Sequence, residues 1–231
     1  MSDDQRFAEM ISKIAHELRS PLTSVKGFSS TLIKRWDKFT DEQKYQFVET
    51  INADADRMGR IVSEVLDLAR LETGRFELRA IETEIRPIAE KAAGHHSDLP
   101  GADRVEVKVP EGLKAWADPE RLGHVLTNMV ENAIKFSDEG AIEISGRALD
   151  DGQVEITISD HGVGIEADRV PHVFSGPAPS GQRATPSGTG LGLYLSRLIV
   201  EAHGGTLSVE SELEKGSKFT MLLPAEGPGF D

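Results

Sequence analysis

The chain has 231 residues, 38% hydrophobic and 28% charged, enough for one large soluble domain or two modest ones. Its 26 basic and 39 acidic residues leave a formal charge of −13, and no stretch is basic enough to track phosphates, which argues against nucleic acid as a direct partner. The absence of cysteine excludes disulfides and thiolate metal sites, and no run approaches the length of a membrane span, so no membrane contact is expected from this stretch.

Residues from about Asp4 to Arg35 carry one long helical pattern. Ile11, Ile14, Ala15, Leu18, Leu22, Val25 and Leu32 recur at a 3–4 spacing, which marks one buried stripe. His16 lies off that stripe, in line with Glu9, Ser12, Arg19, Thr23 and Lys26 on the polar face. A histidine serving the core belongs in the stripe. His16 instead reads as an exposed imidazole beside the carboxylate of Glu17. Pro21 removes the N–H that would bond the Glu17 carbonyl, so a bend is expected one turn after the histidine. Asp37-Lys38-Phe39-Thr40 interrupts the pattern, and Thr40-Asp41-Glu42-Gln43 reads as an N-cap with an acidic first turn. The second helix carries a heptad seam at Val48, Ile51, Ala55, Met58, Val62, Val65 and Ala69, widened by Ile61, Leu66 and Leu68. Two helices expose too much apolar surface alone. Two hairpins pairing into a four-helix bundle would cover it, whereas a hairpin packed on its own chain is the plainer alternative.

After Leu71-Glu72-Thr73-Gly74 the pattern changes. Strands are expected at Phe76–Ile81, Val105–Val109, Ala141–Arg147, Val154–Ser159, Thr206–Val209 and Lys218–Leu223. Helices are expected at Ile85–Ala93, Pro119–Lys135 and Leu191–Ala202. Asp118-Pro119 supplies an N-cap and an N1 proline, and Asp150-Asp151-Gly152 a hairpin turn. The fold class is therefore α+β: a helical hairpin over residues 1–75, then an α/β sandwich with a mixed sheet over 76–231.

Three motifs in the second half bear on chemistry. Asn128 and Asn132 are four apart on one helix face, with Lys135 close to it; amide oxygens suit a hard cation and an ammonium suits phosphate, although a plain polar edge has the same spacing. Asp160-His161-Gly162-Val163-Gly164-Ile165 follows an apolar strand. Its carboxylate can accept from an exocyclic amino group and its glycines admit close backbone approach, though an ordinary turn fits as well. Gly188-Thr189-Gly190-Leu191-Gly192-Leu193 opens a helix as a phosphate cradle would. The glycine spacing is not that of a dinucleotide fold, no Gly-Lys-Ser/Thr run makes a P-loop, and the motif set of the Ser/Thr/Tyr kinases is absent.

The run His16-Glu17-Leu18-Arg19-Ser20-Pro21-Leu22-Thr23 closely resembles the phosphoacceptor motif of bacterial two-component sensor histidine kinases. The three later motifs, in this order, resemble the N, G1 and G2 boxes of the GHKL ATPases. The resemblance runs from about residue 5 to residue 224. It implies a dimerisation and phosphotransfer hairpin, a GHKL-type ATP-binding domain, the cofactors ATP and Mg²⁺, a homodimer, and a response regulator receiver domain as partner. It implies autophosphorylation of His16 and transfer to an aspartate, with Glu17 orienting the ring or taking its proton. By the same resemblance Asn132 holds Mg²⁺, Asn128 and Lys135 sit at the phosphates, Phe136 contacts the base or sugar, and Asp160 bonds the adenine amino group. Gly162, Gly164 and Ile165 would line the base, and Gly188, Thr189, Gly190, Leu191 and Gly192 the phosphates. Ser20, one turn after His16, points to phosphatase activity on the phospho-regulator. Hydrolytic relatives carry a water-activating glutamate where this chain has Asn128, so a plain GHKL ATPase is the weaker alternative, beside a nucleotide-sensing scaffold. Phe174 before Ser175-Gly176-Pro177 departs from the family's aromatic, basic F box, and Arg183 in that loop could reach phosphate. Because the chain starts almost at the phosphoacceptor helix, an excised catalytic portion or a short soluble kinase is expected, located in the cytoplasm either by itself or as the cytoplasmic portion of a membrane sensor. His16-Glu17 begins a zinc-hydrolase pattern, but Ser20 replaces its second histidine.

Overall fold

The two long helical patterns are helices α1 (Asp3–Arg35) and α2 (Asp41–Glu72). The structure, a computed structural model, describes residues 3–95, 100–176 and 190–227. α1 stays helical through Pro21 and ends on Lys34 and Arg35, whose charges suit the negative end of the helix dipole. A 3₁₀ turn at Trp36–Lys38 leads to Thr40, which caps α2. The Thr40 hydroxyl accepts from Gln43 N at 3.2 Å, and the Gln43 side chain accepts from Thr40 N at 3.0 Å. Phe47 closes the turn end of the hairpin, its ring 5.3 Å from that of Phe28 and 5.0 Å from that of Phe39.

The residues that pack α1 on α2 match those expected only in part. Ile14, Leu32, Ile61 and Leu68 are buried, whereas Ile11, Leu22, Val48, Val62 and Leu66 are between 45% and 53% exposed. A contact between two helices covers one stripe of each: on α1 it falls on Ile14 and Leu32 of the expected stripe, and on α2 on Ile61 and Leu68, expected only to widen the seam. The heptad face at Val48, Ala55, Val62 and Ala69 stays open within the chain. Among the described residues no helix is long and apolar enough to cross a membrane.

The chain divides into two units, the first built on Met1–Phe76 and the second on Glu77–Ser175 and Gly192–Asp231. In the second unit the expected strand Phe76–Ile81 is corrected. Residues 76–80 are irregular, and β1 spans Ile81–Glu84 because its antiparallel partner β3, Lys114–Ala117, is only four residues long. β3 escaped the sequence reading because Ala115 and Ala117, although fully buried, carry little hydrophobic signal. Between them lie α3 (Ile85–His95) and β2 (Val105–Lys108). The main sheet adds β4 (Ile142–Ala148), β5 (Gln153–Asp160), β6 (Thr206–Glu212) and β7 (Gly216–Pro224) in the order β2-β4-β5-β7-β6. β2 is parallel to β4 and the other pairs are antiparallel, the mixed sheet expected. Period-2 alternation buries Ile142, Ile144, Val154, Ile156, Ile158, Met221 and Leu223, while Arg147 and Glu155 pair on the outer face at 2.7 Å. Helix α4 (Pro119–Phe136) buries Leu122, Val125, Leu126, Met129, Val130 and Ala133, and α5 (Leu191–Ala202) buries Leu195, Ile199 and Val200. Fully burying one such side chain is worth roughly 1.5–3 kcal/mol, so this layer carries the unit.

Asp118 gathers the start of this layer. Its carboxylate accepts from Glu120 N at 3.0 Å, Arg121 N at 3.2 Å and Arg79 N at 2.9 Å. Burial works to raise its pKa, but these N–H donors outweigh it and hold the carboxyl below its ordinary range. Asp118 N donates to His203 Nε2 at 2.9 Å, which makes Nδ1 the protonated nitrogen that donates to Ile199 O at 2.7 Å. His203 is thereby a structural clasp between the end of α5 and the start of α4.

Candidate functional site

The apolar residues of α4 face the core and leave Asn128 and Asn132 half-buried at its edge. Asn128 Nδ2 donates to the buried Ser196 Oγ of α5 at 3.0 Å. Gly192 packs so close to the Asn128 amide that a Cβ there would collide with it. Gly192, expected in the phosphate cradle, thus has a packing reason of its own: α5 approaches α4 there. Asn132 Nδ2 donates to Asn128 O at 2.9 Å, and among the described residues Asn132 Oδ1 accepts no hydrogen bond. An amide oxygen left open on a half-buried edge fits a hard cation of the Mg²⁺ kind. Lys135 is exposed, with Nζ 5.3 Å from the Phe136 ring centroid.

Asp160 ends β5 and is 9% exposed. Its Oδ1 accepts from Gly162 N at 2.8 Å; burial pushes its carboxyl pKa up, against the N–H groups of Gly162 and Ser217. Val163 N donates to Phe136 O at 3.0 Å, and a Cβ on Gly162 would strike that carbonyl. This docking brings Phe136 and Asp160 to one place. Gly164 has φ +66° and abuts the Glu212 carbonyl, a close approach open only to glycine. Ile165 N donates to Ser211 Oγ at 2.9 Å, so its main chain is already engaged. Gly190 has φ +67° ahead of α5, and Leu191 is 1% exposed, an apolar anchor. Gly188, Thr189 and Arg183 lie outside the described residues.

In the first unit His16 is exposed, and among the described residues it makes no hydrogen bond. Ser20 is exposed on the same helix. Glu17 Oε2 accepts from Arg57 NH2 of α2 at 2.9 Å, so its carboxylate lies across the hairpin. A guanidinium across a half-buried helix contact attracts a carboxylate that an adjacent residue on the same helix does not face. Phe174, the departure from the expected aromatic pattern, is buried edge-on against Phe219 at 6.2 Å. His161 Nδ1 lies 3.1 Å from Ala141 O, and among the described residues no group of three His, Asp or Glu could hold a metal.

Sequence reasoning missed Arg57, Ser196, Ser211 and Ser217. Ser196 alone left a signal, four residues after Gly192 on the same face of α5.

Comparison with known proteins agrees with this geometry. Residues 8–74 match the His Kinase A (phospho-acceptor) domain, and residues 117–227 match the histidine kinase-, DNA gyrase B-, and HSP90-like ATPase family. The sensor histidine kinase ZraS of Klebsiella oxytoca is 34% identical over 223 residues, covering 94% of this chain and 46% of that protein. Among solved structures, the Acinetobacter baumannii histidine kinase AdeS superposes with a TM-score of 0.70 at 21% identity, over 92% of this chain and 98% of that one. Full-length ShkA, solved in complex with AMPPNP, gives 0.66 at 26% identity, over 94% of this chain and 45% of that one. The chain spans between about a quarter and a half of the length of the first curated relatives it matches. The phospho-acceptor hairpin, the ATPase sandwich and these relatives together place the chain in the family of bacterial two-component sensor histidine kinases, of which it comprises the catalytic core.

Proposed function

We propose that the chain transfers the γ-phosphoryl group of ATP to His16 and then to an aspartate on the receiver domain of a response regulator. Residues 1–75 serve as the dimerisation and phosphotransfer hairpin and 76–231 as the ATP-binding domain. The observation that carries this reading is Asn128: the place of a water-activating glutamate holds an amide that cannot take a proton and is bonded to Ser196. The γ-phosphoryl is then spared for a nitrogen acceptor, and His16 is exposed and unpartnered among the described residues. Asp160, Gly162, Gly164, Ile165 and Phe136 form the base end of the site. Asn128, Asn132, Lys135 and the segment Gly188, Thr189, Gly190, Leu191 and Gly192 form the phosphate end. Mg²⁺, when bound, neutralises phosphate charge; Asn132 would hold it through Oδ1. In the transfer, a ring nitrogen of His16 bonds to phosphorus, ADP departs, and Glu17 takes the ring proton once its carboxylate turns from Arg57. The swing between units falls on Gly74–Leu78, because Arg79 N is tied to Asp118. ATP as donor and a receiver domain as acceptor put the chain in the cytoplasm.

Incubation with γ-labelled ATP and Mg²⁺, followed by acid and by base, tests the reading. A base-stable, acid-labile protein label supports it. Free phosphate alone would instead mean an ATPase, and no turnover a nucleotide-sensing scaffold.

The open heptad face makes the chain a homodimer through a four-helix bundle. Met58 and Val62 replaced together by Glu would bury unpaired charge at a cost of several kcal/mol, enough to dissociate or unfold the dimer. Sedimentation checks this, and a wild-type monomer at micromolar concentration would refute it.

Ser20 lies one turn beyond His16 on the same face, where its hydroxyl can hold a water in line with a docked aspartyl phosphate. Ser20→Ala should slow phosphate loss from a purified phospho-regulator in the presence of ADP while His16 labelling stays unchanged. Identical decay curves would leave Ser20 a bend residue beside Pro21.

A further inference from the structure

We infer that Ser211 is a positioning residue for base recognition, acting through the loop that carries Asp160, Gly162, Gly164 and Ile165; this rests on the nucleotide reading of that loop. Ser211 stands on β6, where its hydroxyl uses its whole hydrogen-bonding capacity. It accepts from Ile165 N at 2.9 Å, donates to Gly216 O at 2.8 Å, and meets the Ser217 hydroxyl at 2.9 Å. With its one proton given to Gly216 O, the Ser217 hydroxyl is the donor to Ser211. One side chain thus ties the end of the loop to both strands of the β6–β7 hairpin.

The same hairpin grips the loop elsewhere. Glu214 N donates to Val163 O at 2.8 Å, from a residue at φ +64°, a left-handed conformation that only the surrounding structure sustains in a glutamate. Gly164 lies against the Glu212 carbonyl and Gly216 against the Asp160 carbonyl, each too close for a Cβ. Ser217 N–H supports the Asp160 carboxylate. The turn of the hairpin is therefore the template on which the loop and its carboxylate are set. Loss of the Ser211 hydroxyl orphans the Ile165 N–H, the Gly216 carbonyl and the Ser217 hydroxyl together. The loop would then sample positions in which Asp160 and the backbone beside it no longer match one base.

The test compares wild type, Ser211→Ala and Ser211→Thr in calorimetric titrations with AMPPNP and with GMPPNP, beside amide exchange of Ile165 without nucleotide. Ser211→Ala should weaken AMPPNP binding about tenfold, leave weak GMPPNP binding unchanged, and speed Ile165 exchange. Ser211→Thr keeps the hydroxyl and should restore binding to within about twofold. In labelling of His16, the Ala variant should raise KM for ATP with a much smaller change in kcat. Equal AMPPNP affinity in wild type and Ser211→Ala would overturn the assignment. So would a Thr variant as weak as the Ala variant, which would mark a hairpin-folding role. A wild type that binds no AMPPNP, while Ile165 exchange still depends on Ser211, would overturn the nucleotide reading itself and the assignment with it.

Discussion

Replacing His16 with Gln is expected to abolish the acid-labile label while Mg-ATP affinity stays within about twofold of wild type. The separation of the two effects follows from the architecture. His16 is exposed on α1, and among the described residues it makes no hydrogen bond or ion pair, so its loss costs the fold little, on the order of 0.5 kcal/mol or less. The groups read as the nucleotide site, Asn128, Asn132 and Asp160, belong to the other unit. Glutamine keeps polarity and approximate length but offers no basic ring nitrogen, so phosphoryl transfer loses its acceptor. Labelling with γ-labelled ATP, set beside calorimetric titration of AMPPNP, checks both halves. A label retained in the variant would refute His16 as the acceptor.

Asn132→Ala should weaken Mg-ATP binding by about 10- to 100-fold and remove phosphotransfer with it. The amide oxygen is the group at stake, since it accepts no hydrogen bond from the described protein and is open to a cation. The amide nitrogen contributes an i to i−4 bond to Asn128 O at 2.9 Å and a long one to Asn128 Oδ1 at 3.5 Å, together worth about 1 kcal/mol and partly offset by the better helix propensity of alanine. Thermal melting should therefore stay near wild type. That pairing, lost ligand with a kept fold, separates a ligand-facing asparagine from a structural one. Asn128→Ala should behave differently, because its bond to Ser196 joins α4 to α5, and stability should fall along with binding. An unchanged Mg-ATP titration in Asn132→Ala would show that this edge of α4 is only polar surface.

The amino-acid sequence by itself determined the features that depend on neighbours along the chain. The capping box of Thr40 and Gln43, the Asp118-Pro119 start of α4, the hairpin turn at Gly152 and the alternation of β4 and β5 are all local chemistry, and local chemistry is readable at sight. The polar face that exposes His16 is of the same kind, a matter of 3.6-residue periodicity. The tertiary structure decided what depends on residues far apart. Glu17 finds Arg57 40 positions away, and Asn128 finds Ser196 68 positions away, and no spacing rule connects either pair. The seam residues were read correctly as apolar, but which of them meet inside the hairpin and which remain open depends on how α1 is rotated against α2. β3 is held by its pairing with β1, since of its four residues Trp116 alone has a strand preference to announce it. Periodicity records what a side chain needs; only the folded chain supplies the partner.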